Sequence, residues 1–209
     1  MSIIYGKLWQ FTDYIKPMDF TIHQYLLASE PSILLAAGTV QEAERNIPEI
    51  KRILGNKSLS YIFISHMETD EAGGVFLLQK EYPDVCVICG NLSARELYGW
   101  GYSGEIKTVK GGECLNDGEL SLRFINYPSE VHLQDGLLCF EENSGVLYSS
   151  DLMMSFGDAG GKIIESEWKP QEISEDRLPA GRLEILRSSL GGIIPEFVAV
   201  GHGFCIKIR

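Results

Sequence analysis

The chemistry of this chain concentrates in one stretch, YIFISHMETDEAGG, residues 61–74. The apolar run 61–65 reads as a short buried strand. It delivers His66, Glu68, Thr69, Asp70 and Glu71 in quick succession, and Gly73-Gly74 and the periodic run VFLLQKEY follow. A strand, a sharp turn and a helix start commonly build a site at the carboxyl end of a sheet. One imidazole and three carboxylates set this close together call for a counter-charge, which a bound cation would supply. The competing reading is an acidic surface loop with a helix cap.

The remaining histidines favour the cation. His202 stands between Gly201 and Gly203 after the apolar run 197–200, and His132 follows YPSEV and precedes Asp135-Gly136. With His66, three of the four histidines therefore lie at the edge of an apolar segment, where a ligand is positioned in advance. Taken singly, each would read as a capped or surface histidine. His23, in the middle of TIHQY, has no such setting and reads as structural. Asp151 ends another apolar strand, in LYSSD. A cap for LMMSF is its alternative role, and that role is compatible with metal binding.

The series HMETDEAG, HLQD, SSD and GHG resembles the iron site of the flavodiiron proteins, a branch of the metallo-β-lactamase superfamily. Their pattern is H-x-E-x-D-H-x-G, then a histidine in an H-W-P-D context, an aspartate after a strand and a late histidine before glycine. The interval from His132 to Asp151 is nineteen residues, the family's usual spacing, and Phe156-Gly157 follows much as in its D-x-F-G-S-F-G stretch. The resemblance spans residues 1–209. It implies an α+β fold, a metallo-β-lactamase-like αββα sandwich, in a single diiron domain. By it, His66, Glu68 and His132 would hold a first iron, Asp70 and His202 a second, and Asp151 would bridge them. Glu71 occupies the place of a family histidine and is read as a further ligand to the second iron; the alternative is a helix-start carboxylate facing solvent. Two other departures are that the given residues do not extend into a flavodoxin-like domain, so that no FMN is expected in this chain, and that AAGTV stands where many superfamily members place an aspartate.

The donor set also speaks to the metal. Hydrolytic superfamily members carry H-x-H-x-D-H, which suits zinc, whereas Glu68 and Glu71 add hard oxygen donors that favour iron or manganese. Glu68, Asp70, Glu71 and Asp151 together match the charge of two ferrous ions; two ferric ions would leave room for an oxo, hydroxo or peroxo bridge. The expected cofactor is thus two iron ions, and the expected function is binding of O2, or NO, as an oxygen-binding or sensing protein. An O2/NO reductase fed by a rubredoxin-like or flavin electron donor is the first alternative, and a zinc-dependent hydrolase of the metallo-β-lactamase type the second. A signalling receptor is the partner a sensor would need, and a homodimer is expected by analogy. Tyr127, Tyr148, Trp100 and Trp168 could line a pocket but read more simply as core or surface aromatics.

The elements that must position these residues follow from composition and periodicity. The length of 209 residues suits one domain. With 29 acidic against 18 basic residues, a formal charge of −11, no nucleic-acid partner is expected. No 18-residue apolar run and no basic-then-apolar leader appears, so a soluble, cytoplasmic chain away from the membrane is expected. The five cysteines are scattered, and Cys86 and Cys89 read as buried free thiols. Strands are predicted at 3–11, 33–37, 61–65 and 85–89, with 20–28 as a further strand or an irregular edge. Helices are predicted at 41–54, with Pro48 in the first turn or breaking it, at 72–81 and at 92–100, the last capped by Asn91 or Ser93. From 105 onward short strands dominate (EIKTV, LSLRFIN, GLLCFEE, GVLYSS), then a helix at 180–190 and a strand–turn–strand at 197–208. An αβ half followed by a β-rich half predicts two packed sheets with helices outside.

Overall fold

The computed structural model describes residues 1–131 and 135–209. Two seven-stranded sheets face each other. The first contains β1 (Ser2–Tyr5), β2 (Leu8–Ile15), β3 (Phe20–Leu27), β4 (Ile33–Leu35), β5 (Tyr61–Phe63), β6 (Cys86–Cys89) and β7 (Glu105–Thr108), in that spatial order. It is antiparallel from β1 to β4 and parallel from β4 to β7. The second contains β8 (Cys114–Asp117), β9 (Leu120–Asn126), β10 (Leu137–Glu141), β11 (Val146–Ser150), β12 (Ile163–Ser166), β13 (Phe197–Val200) and β14 (Cys205–Ile208), ordered β12-β14-β13-β11-β10-β9-β8.

Parallel neighbours need crossovers, and the helices are those crossovers. They are α1 (Val40–Leu54), α2 (Thr69–Ala72), α3 (Val75–Glu81) and α4 (Asn91–Gly99) in the first half and α5 (Ala180–Gly191) in the second. Alternation along the strands divides the core into three layers. Between the sheets pack Tyr25, Leu35, Phe63, Phe124, Tyr148 and Phe197. On the outer face of the first sheet, Leu26, Leu34, Ile62 and Val87 meet Ile50, Leu54, Val75, Leu78 and Leu97 of the helices. On the outer face of the second, Leu138, Leu147 and Val198 meet Leu186 and Leu190 of α5. Each such leucine, fully withdrawn from water, contributes about 2 kcal/mol. The result is an αββα sandwich.

Several local expectations are corrected. Residues 3–11 form parts of two strands, because Gly6, at φ 52°, turns the chain between them. Of the two readings of 20–28, the strand holds and the irregular edge does not: 20–27 is an interior strand, buried along nearly its whole length between β2 and β4. Pro48 neither opens α1 nor breaks it; buried Ala43 and Asn46 before it and Ile50 and Leu54 after it anchor both halves. The helix after His66 begins at Thr69, earlier than 72, and is interrupted at Gly73-Gly74. Neither Asn91 nor Ser93 caps α4. The Leu92 and Ser93 N–H groups instead donate to Asp135 Oδ2, at 2.7 and 3.0 Å. β8 and β12 lack a clear apolar alternation, being exposed along most or all of their length. All five cysteines are free, with Cys86 and Cys89 buried and Cys114 exposed. Among the described residues, no helix is long and apolar enough to cross a membrane.

A candidate metal centre at one edge of the sandwich

Four chain segments converge where the two sheets meet: the turn after β5, the start of α2, the end of β11 and the turn between β13 and β14. The backbone is pinned between them. Ala37 N–H donates to the Glu71 carbonyl at 2.7 Å, Gly74 N–H to the Gly38 carbonyl at 2.7 Å, and Leu137 N–H to the Ser65 carbonyl at 3.0 Å. Gly74 is required by close approach, since a Cβ there would stand 2.5 Å from the Ala37 carbonyl oxygen.

Ser150 is the hinge of the second sheet's contribution. The β11–β13 register slips by one residue between Tyr148 and Ser150, and Ser150 adopts φ 51°. This left-handed conformation is costly for a residue with a Cβ. It turns the chain so that consecutive side chains serve the site: Ser150 reaches Glu71 and Asp151 reaches His202. Ser150 O is held by Gly201 N–H at 2.7 Å, which ties the end of β11 to the histidine turn.

His202 is the best-defined member. Its Nδ1 lies 3.0 Å from the Thr21 carbonyl, an acceptor only, so Nδ1 carries the proton. Nε2 then points at two carboxylates, 3.3 Å from Asp70 Oδ2 and 3.2 Å from Asp151 Oδ1. Burial pulls the imidazole pKa down, but the Asp151 hydrogen bond and charge, then Asp70 and the Thr21 carbonyl, outweigh it and raise the pKa. A cation, proton or metal, belongs at that point. Gly203 must be glycine, at φ 93° with a Cβ 2.1 Å from Ser155 Oγ. The imidazole stacks on Phe20 at 4.4 Å between centroids, and Phe156 packs on Phe20 at 5.8 Å, mostly exposed at the rim. His23, as expected, is structural: its Nε2 lies 2.8 Å from the Gly203 carbonyl and Nδ1 3.0 Å from Thr12 Oγ1. Burial chiefly lowers its pKa, to about 4.

Glu71 is 2 % exposed, which overturns the solvent-facing alternative. Its Oε1 accepts from the Tyr148 hydroxyl and from Ser150 Oγ at 3.3 Å, while Oε2 is buried with no hydrogen-bond partner among the described residues. Burial, reinforced by the charges of Asp70 and Asp151, raises its pKa to about 8. His66 is also buried, with Nδ1 2.6 Å from Ser65 Oγ and Nε2 3.8 Å from Glu68 Oε2. The edge therefore gathers Asp70, Glu71, Asp151 and His202, with His66 joined to Glu71 through Ser65 and Ser150 and Glu68 beside His66. His132 lies outside the described residues. Among those described, no three donors stand in ready-made metal geometry. The fit of a cation rests on the buried Glu71 Oε2, without a hydrogen-bond partner among the described residues, and on His202 Nε2 facing two carboxylates.

Residues 20–172 match the family described as ODP family beta lactamase. The chain belongs to this family. It is 24% identical over 143 residues to the anaerobic nitric oxide reductase flavorubredoxin of Vibrio vulnificus, covering 67% of this chain and 29% of that protein. It is 25% identical over 177 residues to an uncharacterized protein of Methanocaldococcus jannaschii, covering 84% and 43%. Among solved structures it matches rubredoxin oxygen:oxidoreductase of Desulfovibrio gigas, with TM-score 0.74, 20% identity and coverage of 96% and 55%. It also matches the flavodiiron core from Synechocystis, with TM-score 0.76, 18% identity and coverage of 96% and 54%. The fold is that of the metallo-β-lactamase-like flavodiiron core, and the match spans about half or less of those relatives' length.

The site residues missed from sequence are the hydroxyls. From sequence Tyr148 could line a pocket but reads more simply as a core or surface aromatic, and neither Ser65 nor Ser150 carries a signal beyond lying at strand ends. Trp100 is exposed and Trp168 half-buried, its indole N–H donating to the Ile193 carbonyl at 3.1 Å. Tyr127 is buried and donates to Glu175 Oε2 at 2.8 Å.

Proposed function

We propose that this edge holds two iron ions and that the protein binds O2 there, with NO as the alternative diatomic ligand. The observation that carries the reading is Glu71: a carboxyl withdrawn from water, beside two carboxylates, with one oxygen that has no hydrogen-bond partner among the described residues. A buried anionic cluster of this kind is expensive unless cations compensate it. His66, Glu68 and His132 would hold one iron, Asp70, Glu71 and His202 the other, and Asp151 would bridge. Bound there, ferrous ions would supply the electrons that a diatomic oxidant needs. The chain's own part is to set the donor charge, hold His202 by the Thr21 carbonyl, and shield the imidazole with Phe20 and Phe156. Four carboxylates make the donor set hard and anionic, which favours iron over zinc and the ferric over the ferrous state. That bias suits retention of a ligand better than fast turnover, hence the oxygen-binding or sensing role, with a signalling receptor as partner.

The relatives named as reductases support a second reading, in which a separate rubredoxin-like or flavin donor drives repeated reduction of O2 or NO. Anaerobic loading with ferrous iron followed by metal counting and O2 titration separates these. Two irons per chain and O2 uptake near one equivalent, unchanged by added reduced rubredoxin, is the expected result. Catalytic O2 or NO consumption with rubredoxin would establish the reductase. Zinc in place of iron, with hydrolytic activity, would overturn both.

A further inference from the structure

The ligands assigned above to different irons are joined by an unbroken run of hydroxyls. His66 Nδ1 lies 2.6 Å from Ser65 Oγ, Ser65 Oγ lies 2.8 Å from Ser150 Oγ, and Ser150 Oγ lies 3.3 Å from Glu71 Oε1. The Tyr148 hydroxyl closes the run on the same Glu71 oxygen. All five residues are buried. The run crosses from the first sheet, which supplies Ser65, to the second, which supplies Tyr148 and Ser150.

A serine hydroxyl has one proton to give, so the direction of such a run is set by its ends. When His66 binds metal through Nε2, its proton sits on Nδ1 and is donated to Ser65. Ser65 then donates to Ser150, and Ser150 to Glu71, which as a carboxylate can only accept. Tyr148 donates to the same oxygen, so Oε1 is fully engaged and Oε2 is the oxygen left to face a cation. With the direction reversed, Nδ1 would have to accept, the proton would sit on Nε2, and that nitrogen could not ligate. The hydrogen-bond direction at Glu71 and the tautomer of His66 are therefore one variable. The left-handed backbone of Ser150 is consistent with a position kept for its side chain, since glycine would occupy φ 51° without strain.

Resting on the diiron reading, we propose that Ser65, Ser150 and Tyr148 are positioning residues that couple the two halves of the metal centre. They fix the Nδ1–H tautomer of His66 and present Glu71 through a single oxygen. Partners of this kind typically change metal affinity by about 10- to 100-fold.

The test uses the full chain and two probes, ferrous iron under anaerobic conditions for affinity and zinc for NMR of the imidazole N–H. Ser150→Gly removes the hydroxyl and relieves the backbone, so a merely structural role predicts equal or better thermal stability and unchanged metal binding. The expected result is retained stability with iron affinity lowered about 10-fold or more, and a similar loss in Tyr148→Phe. Glu71→Gln should move the His66 Nδ1–H resonance in the otherwise native protein and leave it unmoved in the Ser150→Gly background. Iron affinity within twofold of native in both hydroxyl variants, or the same resonance shift in both backgrounds, overturns the coupling and leaves the metal reading standing. A native chain that binds neither metal overturns both.

Discussion

Two buried glutamates, at opposite ends of the sandwich, differ in how the fold satisfies their oxygens. Glu141 ends β10 and is 5 % exposed. It accepts from Ser121 N–H at 3.0 Å, Asn143 N–H at 3.3 Å, Ser144 N–H at 2.7 Å and Ser144 Oγ at 2.6 Å. Both oxygens are used, and the donors are mostly backbone groups that would otherwise go unpaired at the turn before β11. Glu71, equally withdrawn, has hydroxyl donors on one oxygen and two like charges nearby. Burial alone thus does not mark a functional carboxylate. What sets Glu71 apart is an oxygen without a hydrogen-bond partner among the described residues, next to two like-charged carboxylates that help raise its pKa.

Removing the anion proposed to bridge the metals should have the largest effect. Asp151→Ala takes away the one carboxylate assigned to both irons and one of the two facing His202 Nε2. Iron content after gel filtration should fall from two per chain to one or none; two irons retained would count against the bridge. Next comes the structural carboxylate. Glu141→Ala leaves two backbone N–H groups of the turn and that of Ser121 in β9 without their acceptor, a loss of about 3 kcal/mol in urea unfolding. Iron stoichiometry in that variant should equal the native value. If metal is lost as well, the division between the two ends of the sandwich fails.

Glu71→Gln sharpens the contrast by measuring stability with and without metal. Saturating ferrous iron should stabilise the native chain, by about 4 kcal/mol at a thousand times the dissociation constant. Each tenfold loss of affinity removes about 1.4 kcal/mol of that increment. The glutamine variant should lose about 1.4–2.8 kcal/mol of the increment while Glu141→Ala, though less stable throughout, keeps all of it. Equal increments for native and Glu71→Gln would show that Oε2 faces no metal.

The sequence made the ends of strands legible and the connections between them obscure. His66, Asp151 and His202 each follow an apolar run, so their placement at one sheet edge could be read from pattern. Glu71 could be singled out because it follows Asp70 directly. The hydroxyl run could not, because a serine at a strand end is ordinary and its partner lies 85 residues away in the chain. The cap of α4 was misread for the same reason: local candidates existed at Asn91 and Ser93, but the acceptor is Asp135. β8 and β12 escaped because edge strands exposed along most or all of their length carry too little alternation to detect. In each case the missing information was tertiary, a donor and an acceptor brought together by the fold rather than by spacing.

A third buried glutamate sets the lower end of the scale. Glu42, 3 % exposed, lies in the first turn of α1. It forms a capping box with Thr39, its Oε2 accepting from Thr39 N–H at 2.8 Å while Thr39 Oγ1 accepts from Glu42 N–H at 3.2 Å. Burial, the largest influence, raises its pKa, and the Thr39 hydrogen bonds oppose this only in part. A carboxyl whose folded pKa is raised binds its proton more tightly in the folded chain. Its contribution to stability is therefore present below the unfolded pKa and is lost as pH rises through the folded value. Glutamine keeps the carbonyl acceptor for Thr39 N–H and has no charge to bury. Glu42→Gln should accordingly lie within about 0.5 kcal/mol of native at pH 7, on the stabilising side if it differs. The two chains should converge in stability as pH falls into the carboxyl range, because native Glu42 is then neutral as well. Urea denaturation at a series of pH values measures the difference. A loss above about 1 kcal/mol at neutral pH would mean that the Glu42 charge, stabilised at the start of α1 by the helix dipole, outweighs its burial, and would make it a structural carboxylate of the Glu141 kind.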